Sequence, residues 1–250
     1  MEECKTVATP LDPGFQVACD KDCKRADIQA YQTLMGELMY LAITTRPDIV
    51  HSVAKLSQKN SDPHIEHFNA GKKILRYLAG STELKIEYKD GKKELCGYAD
   101  ADWGGNPIDR KSYTGFLFYY GECLISWESK KQRVVALSST EAEYISISNA
   151  AREAVYLKRV LYELEGVENK AVILNVDNQG AMKLATNPVF HNRSKHIDIK
   201  YHHVRDEICK KQIELKYVNT NEMIADICTK NLHKIKHKKF VELMNLKNVE

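Results

Sequence analysis

Near Ser81 the spacing of apolar residues changes from helical to alternating, and this change limits the folds open to the chain more than any single motif does. Upstream, Tyr31, Leu34, Leu38 and Leu41 form one stripe of a helix predicted from Ala26 to Ile43, and Pro47 opens a second through Val50, Val53 and Leu56. Asp62-Pro63 caps a third, which runs through Ile65, Phe68, Leu75 and Leu78 and stops at Gly80. Downstream, "LKIEYKDGKKELCGYA" reads as a hairpin turning at Asp90-Gly91. Tyr113 to Tyr120 and Glu122 to Glu128 read as two more strands joined at Gly121. A long helix follows over 139–165, and "AVILNVD" then has the continuous apolar character of a strand buried on both faces. A strand, a crossover of that length and a second strand imply parallel pairing. The expectation is an α/β fold, a mixed sheet flanked by helices and preceded by a small helical segment.

The parts fall at 1–26, an extended arm or linker with Thr9-Pro10 and Asp12-Pro13-Gly14; 27–80, helical; 81–93, a connecting hairpin; 94–232, the sheet-containing domain; and 233–250, a basic C-terminal helix or tail. No apolar run approaches the roughly 18 residues of a membrane span, and "MEECKTVATP" has no apolar leader, so a soluble, non-secreted protein is expected. The seven cysteines, an odd number, then read as reduced thiols. Cys19 and Cys23 have one-turn spacing, but no second Cys or His pair follows close by, which disfavours zinc. A net charge of +3 announces no polyanion partner, although residues 191–216 carry seven Lys or Arg against four acids, with four His interleaved. A solvated helix face explains that run as well as nucleic acid does.

The carboxylates carry the chemistry. In "LCGYADADWGG" strand alternation puts Asp100 and Asp102 on one face at a strand end, where two like charges call for a cation or for solvent. In the long helix Glu143 heads a stripe continued by Ile147, Ala150, Ala154, Leu157, Leu161 and Leu164. Glu141 lies off that stripe and forms a capping box with Ser138. A carboxylate at the sheet-facing end of a helix is costly unless paired or bound to a cation, which favours Glu143 as the functional residue. Asp177 closes "AVILNVD" at the carboxyl end of its strand, where ligands gather in α/β sheets, although it could equally cap the next helix. "NTNEMIADICTKNL" reads as a helix boxed by Asn219 and Glu222, with Asp226 one turn in.

"GYADADW", "SWESKKQRVVALSSTEAEY", "NVDNQGAMKLATNPVFHNRSKHIDIKYHHVRD" and "VNTNEMIADICTKNL" together resemble the ribonuclease H domain of copia-type retrotransposon Pol polyproteins. "YQTLMGELMYLAITTRPDIVHSVAKLSQ" and "HFNAGKKILRYLAGS" resemble the segment that closes the reverse transcriptase in the same polyproteins. The resemblance implies a ribonuclease H-like five-stranded mixed sheet and a Mg²⁺-dependent endonuclease that hydrolyses the RNA strand of RNA:DNA hybrids. Two ions would be held by Asp100, Glu143, Asp177 and Asp226, with Asp102 the runner-up for the first and Mn²⁺ able to substitute. Lys130, Lys131, Arg193, Lys195, His196 and His202 are the implied nucleic-acid contacts. The polymerase domain of the same element is a further implied partner. The implied setting is the cytoplasm, in a virus-like particle, and the nucleus.

Two departures bear on that reading. Cellular ribonucleases H place a histidine in the loop before the last aspartate, whereas nothing from Gln212 to Asp226 is His. No two aspartates are adjacent anywhere, so a polymerase palm site is missing. The alternatives are a truncated, catalytically silent remnant that binds nucleic acid without cutting it, and an integrase or transposase on the same fold; the latter places its glutamate last, whereas Glu143 stands second.

Overall fold

The computed structural model describes residues 4–17, 23–91, 93–166, 170–186 and 198–248. Helix α1 (Ile28–Thr44) starts where Asp27 accepts a hydrogen bond from the Ala30 amide, and it buries Tyr31, Leu34, Met35, Leu38 and Ala42. Pro47 opens a short 3₁₀ turn that leads into α2 (Val50–Leu56). Helix α3 (Ile65–Ala79) ends at Gly80 as expected, but His64 is its N-cap. Asp62 instead pairs with Arg25 at 3.3 Å. The three helices are held by a buried network in which Asp48, 2% exposed, takes both arms of Arg46 and the Tyr77 hydroxyl at 2.7 Å.

The predicted 81–93 hairpin does not form. Strand β1 (Leu84–Ile86) pairs antiparallel with the last strand, β7 (Leu246–Asn248), with Leu84 opposite Asn248. Alternation marks a strand but carries no information on its partner, and Leu84, Ile86 and Leu246 find apolar cover on the helical segment.

The main sheet comprises β2 (Leu95–Ala101), β3 (Tyr113–Tyr120), β4 (Cys123–Lys131), β5 (Val172–Val176) and β6 (Ile213–Tyr217), in the order β4-β3-β2-β5-β6. β2, β3 and β4 are antiparallel neighbours, and β2-β5 and β5-β6 are parallel. The long crossover is α4 (Ser139–Glu165); α5 (Gln179–Thr186) and α6 (Asp198–Cys209) lie between β5 and β6. This is the expected mixed five-stranded, ribonuclease H-like sheet flanked by helices.

Both faces of the sheet are buried, and β3 shows why. Phe116 and Phe118 point to α4, where Tyr144, Ile147, Ala150, Ala151 and Ala154 meet them. Leu117 and Tyr119 point the other way, into a core shared with Tyr31, Leu38, Val53 and Leu56 of the helical segment and Phe240 and Val241 of α7 (Lys234–Leu243). Trp127 of β4 donates to the Ala42 carbonyl at 2.7 Å across that interface. The change of period near residue 81 thus separates the chain in sequence, while the helical segment forms the second layer of one structure.

Two helix readings need correction. The first turns of α4 are buried on every side, Glu141 and Ile145 included, while Leu164 is 77% exposed in the turn before Gly166. "NTNEMIADICTKNL" is not an α-helix but two 3₁₀ turns, Thr220–Glu222 and Ile224–Cys228, broken at Met223. Asn219 caps the first through the Asn221 amide, without the expected box. Five consecutive residues, Ile224 to Cys228, are buried, which a helix with one buried face cannot achieve. Gly115 makes room for them, since a Cβ there would lie 2.6 Å from Cys228 Cβ.

Candidate active site

Asp100 sits one residue from the end of β2, opposite Gly115 of β3, and is 1% exposed. Its carbonyl accepts from Ser146 Oγ at 2.6 Å, which ties the second turn of α4 to the strand. One turn earlier, Glu143 is 7% exposed and held by a hydrogen bond with the Ala101 backbone. Its Oε2 is buried and has no hydrogen-bond partner among the described residues. Asp177 follows β5. The cap of α5 is taken by Asn178, whose Oδ1 accepts from the Ala181 amide at 2.9 Å, so Asp177 is not used to start the helix. Asp100, Glu143 and Asp177 each offer an oxygen, and the three oxygens lie within 4.8 Å of one another.

Asp226, 1% exposed in the second 3₁₀ turn, adjoins this group on the Asp100 side. Lys230 connects the two, with Nζ 2.6 Å from Asp226 Oδ1 and 3.3 Å from Asp100 Oδ2. Lys236 pairs with the other Asp226 oxygen, and the Thr229 hydroxyl donates to Asp100 Oδ2. Asp102 does not join them: its Oδ1 accepts from the Tyr113 amide and closes the mouth of the β2–β3 ladder. Alternation breaks down there because β2 ends at Ala101. Glu141 has the structural place expected of it, although its carboxylate accepts from the Leu137 amide at 2.9 Å, a residue earlier than a capping box requires.

Burial dominates the electrostatics. It pushes the Asp100 carboxyl up to about 7; Lys230 and the Thr229 hydroxyl pull it down, and Asp226 and Asp177 push it further up. Burial also raises Glu143 well above the usual carboxylate range, reinforced by Asp100 and Asp177. Asp102 rises to about 6, again chiefly through burial. Ionised together, the three clustered oxygens would repel strongly, so the arrangement favours a proton or a cation among them.

Of the proposed nucleic-acid contacts, Lys130 is exposed beside Glu128, at 3.4 Å, and His202 is exposed on α6. Lys131 is tied down by Gln58 Oε1 at 2.6 Å and Asp109 at 2.8 Å. Arg193, Lys195 and His196 lie outside the described residues, as does Cys19 of the disfavoured zinc pair. Sequence reasoning missed Thr229 and Lys230. The available signal was the four-residue step from Asp226 to Lys230, the spacing of a local ion pair.

No protein-family model matches the chain. Among curated proteins it is similar to the Retrovirus-related Pol polyprotein from transposon TNT 1-94 of Nicotiana tabacum, 38% identical over 98% of this chain and 19% of that protein. It is also similar to the Retrovirus-related Pol polyprotein from transposon RE1 of Arabidopsis thaliana, 39% identical over 100% of this chain and 17% of that protein. The chain therefore spans less than a fifth of the length of these relatives. Among solved structures it is similar to a ribonuclease H1 isolated from compost, with a TM-score of 0.42 and 14% identity over 55% of this chain and 93% of that one. The fold assignment rests instead on the chain's own strand order and directions. Identity of nearly two residues in five, sustained from end to end, makes the chain similar over its whole length to one part of copia-type retrotransposon Pol polyproteins.

Proposed function

We propose that the chain is a divalent-cation-dependent endonuclease that hydrolyses the RNA strand of RNA:DNA hybrids as part of a Pol product. The observation that carries this reading is the meeting of Asp100, Glu143 and Asp177, drawn from β2, α4 and the end of β5, at one point of a ribonuclease H-like sheet.

The residues fit a hard cation. All the donors are carboxylate oxygens, the ligands Mg²⁺ and Mn²⁺ prefer, and Glu143 Oε2 is a buried acceptor with no partner among the described residues. Asp100, Glu143 and Asp177 would hold one ion, and Asp226 with Asp100 a second. When bound, the ions supply an activated water and neutralise charge at the scissile phosphate. The chain's own residues set the frame: Ser146 fixes the β2 backbone at Asp100, Thr229 orients the Asp100 carboxyl, and the Ala101 backbone orients Glu143. Burial of Asp100 and Glu143 excludes water that would compete for their oxygens. RNA is chosen through its 2′-hydroxyls, with the exposed Lys130 and His202 as the proposed backbone contacts. The polymerase part of the same polyprotein is the partner that the similarity to Pol polyproteins points to.

The test is a hybrid end-labelled on either strand, incubated with the full chain and Mg²⁺. The expected result is RNA cut internally to 5′-phosphate ends, intact DNA, and no cutting in EDTA or with Glu143→Gln. Equal cutting of duplex DNA, or undiminished cutting in EDTA, overturns the proposal.

A further inference from the structure

Lys230 reaches the carboxylates from the surface. Its side chain is 39% exposed, yet its ammonium bridges two carboxyl groups whose side chains are each 1% exposed, at 2.6 Å from Asp226 and 3.3 Å from Asp100. Lys236 takes the other Asp226 oxygen, so both oxygens of Asp226 already face an ammonium. The opposite half of the site is different: among the described residues the Glu143 Oε2 atom is buried with no hydrogen-bond partner, and no salt bridge reaches Glu143 or Asp177. Positive charge is therefore distributed unevenly over one cluster of four acids.

We propose that Lys230 is a resident counter-ion that divides the site in two. One divalent-cation position, at Asp100, Glu143 and Asp177, is open in the resting protein; the other, at Asp100 and Asp226, is gained only by displacing the Lys230 ammonium. Lys230 is thus a positioning residue. The inference rests on the metal-dependent reading above and adds an order of loading to it.

The chemistry follows from the geometry. An ammonium and a divalent ion cannot share the space between Asp100 and Asp226, so each must compete with the other for the same oxygens. Lys230 can leave without unfolding the core, because its stem is a flexible four-carbon chain already open to solvent. A phosphate arriving at the site gives the released ammonium a new partner and lowers the cost of the exchange. The second cation then loads with substrate, and the pair of ions is not complete on the empty protein.

Binding of Mn²⁺ alone, followed by the electron paramagnetic resonance of the free ion, reads this without any turnover. The full chain is compared with Lys230→Met, which keeps the stem and removes the ammonium, and with Lys230→Gln should the first fail to fold by circular dichroism. The wild type is expected to show one tight site and a second at least tenfold weaker. In the variant the second site should tighten at least tenfold while the first stays within threefold. If the wild type binds two ions and the variant leaves the second unchanged or weaker, Lys230 is only structural and the metal reading stands. If neither protein binds Mn²⁺, the metal reading falls and this inference falls with it.

Discussion

Replacing Asp100 by Asn should stabilise the metal-free protein, most strongly at a pH where the wild-type carboxyl is ionised. Asp100 titrates near 7 in the folded protein, against 3.8 without the fold. Because the folded value is raised, the stability attached to the proton is full below pH 4 and is lost as pH climbs through 7. Three pH units at about 1.4 kcal/mol each come to about 4 kcal/mol against the folded state at pH 8. The amide returns part of that: its NH₂ faces Lys230 and the Thr229 hydroxyl, a mismatch costing about 1–2 kcal/mol. The net gain is about 2 kcal/mol, which for a chain of this size raises Tm by roughly 4–8 °C. Thermal unfolding followed by circular dichroism in EDTA at pH 8 should show that rise. At pH 5 the folded carboxyl keeps its proton while the unfolded one has lost it, so about 1.7 kcal/mol of the penalty remains, the amide mismatch roughly cancels it, and Asp100→Asn should match the wild type. A variant that is less stable at pH 8, or equally shifted at both pH values, refutes the reasoning and makes Asp100 an ordinary structural carboxylate.

Four further outcomes are expected. Glu143→Gln should abolish hybrid cleavage with the fold intact, whereas Glu141→Gln should cost about 1 kcal/mol in urea unfolding and leave most turnover, since Glu141 serves the Leu137 amide. Gly115→Ala should destabilise by about 1–3 kcal/mol and slow cleavage, because the new methyl meets Cys228 and Thr229 below the Asp226 turn; Gly36→Ala, in open space on α1, should raise Tm in the same assay. Tyr77→Phe should cost about 1–3 kcal/mol in denaturant titration by removing a hydrogen bond from buried Asp48. Mg²⁺ should raise the wild-type Tm and raise that of Asp100→Asn much less, through preferential binding to the folded state.

Period and turn chemistry carried a large part of the fold. Tyr113 to Tyr120 is the observed β3 to the residue, and Gly80 and Gly166 stop α3 and α4 as read. What escaped has a common cause, that local pattern is silent on partners. Leu84 and Ile86 alternate equally well whether they pair with β2 or with β7. Ile145 and Ile147 cannot both lie on one helical stripe, yet both are buried, because α4 starts in a crowded junction. The apolar character of "MIADIC" suggested a helix, whereas packing against Gly115 flattened it into 3₁₀ turns. At the site, helix phase singled out Glu143 and the family resemblance pointed to Asp100 and Asp177, and the fold brings the three together. Neither signal could reveal that Asp226 would be engaged by Lys230 and Lys236, since the approach of Lys236 depends on how α7 docks.

The pairing of β1 with β7 has a consequence for synthesis. On the ribosome the three helices emerge first, but the core that covers them includes Phe240, Met244 and Leu246, and the partner of Leu84 is Asn248. At roughly 5–20 residues per second, the nascent chain carries Tyr31, Leu38 and Leu56 without their final cover for about 10–40 s. Folding of this region therefore waits until α7 and β7 have been made, and a chain stopped short of α7 lacks the cover that Phe240, Met244 and Leu246 add to that of Leu117 and Tyr119. The same closure protects the finished molecule. A protease cutting the connection between β1 and β2 would leave two polypeptides gripping each other through β7, α7 and the Trp127–Ala42 contact, so the nick would change the covalent chain without parting its pieces.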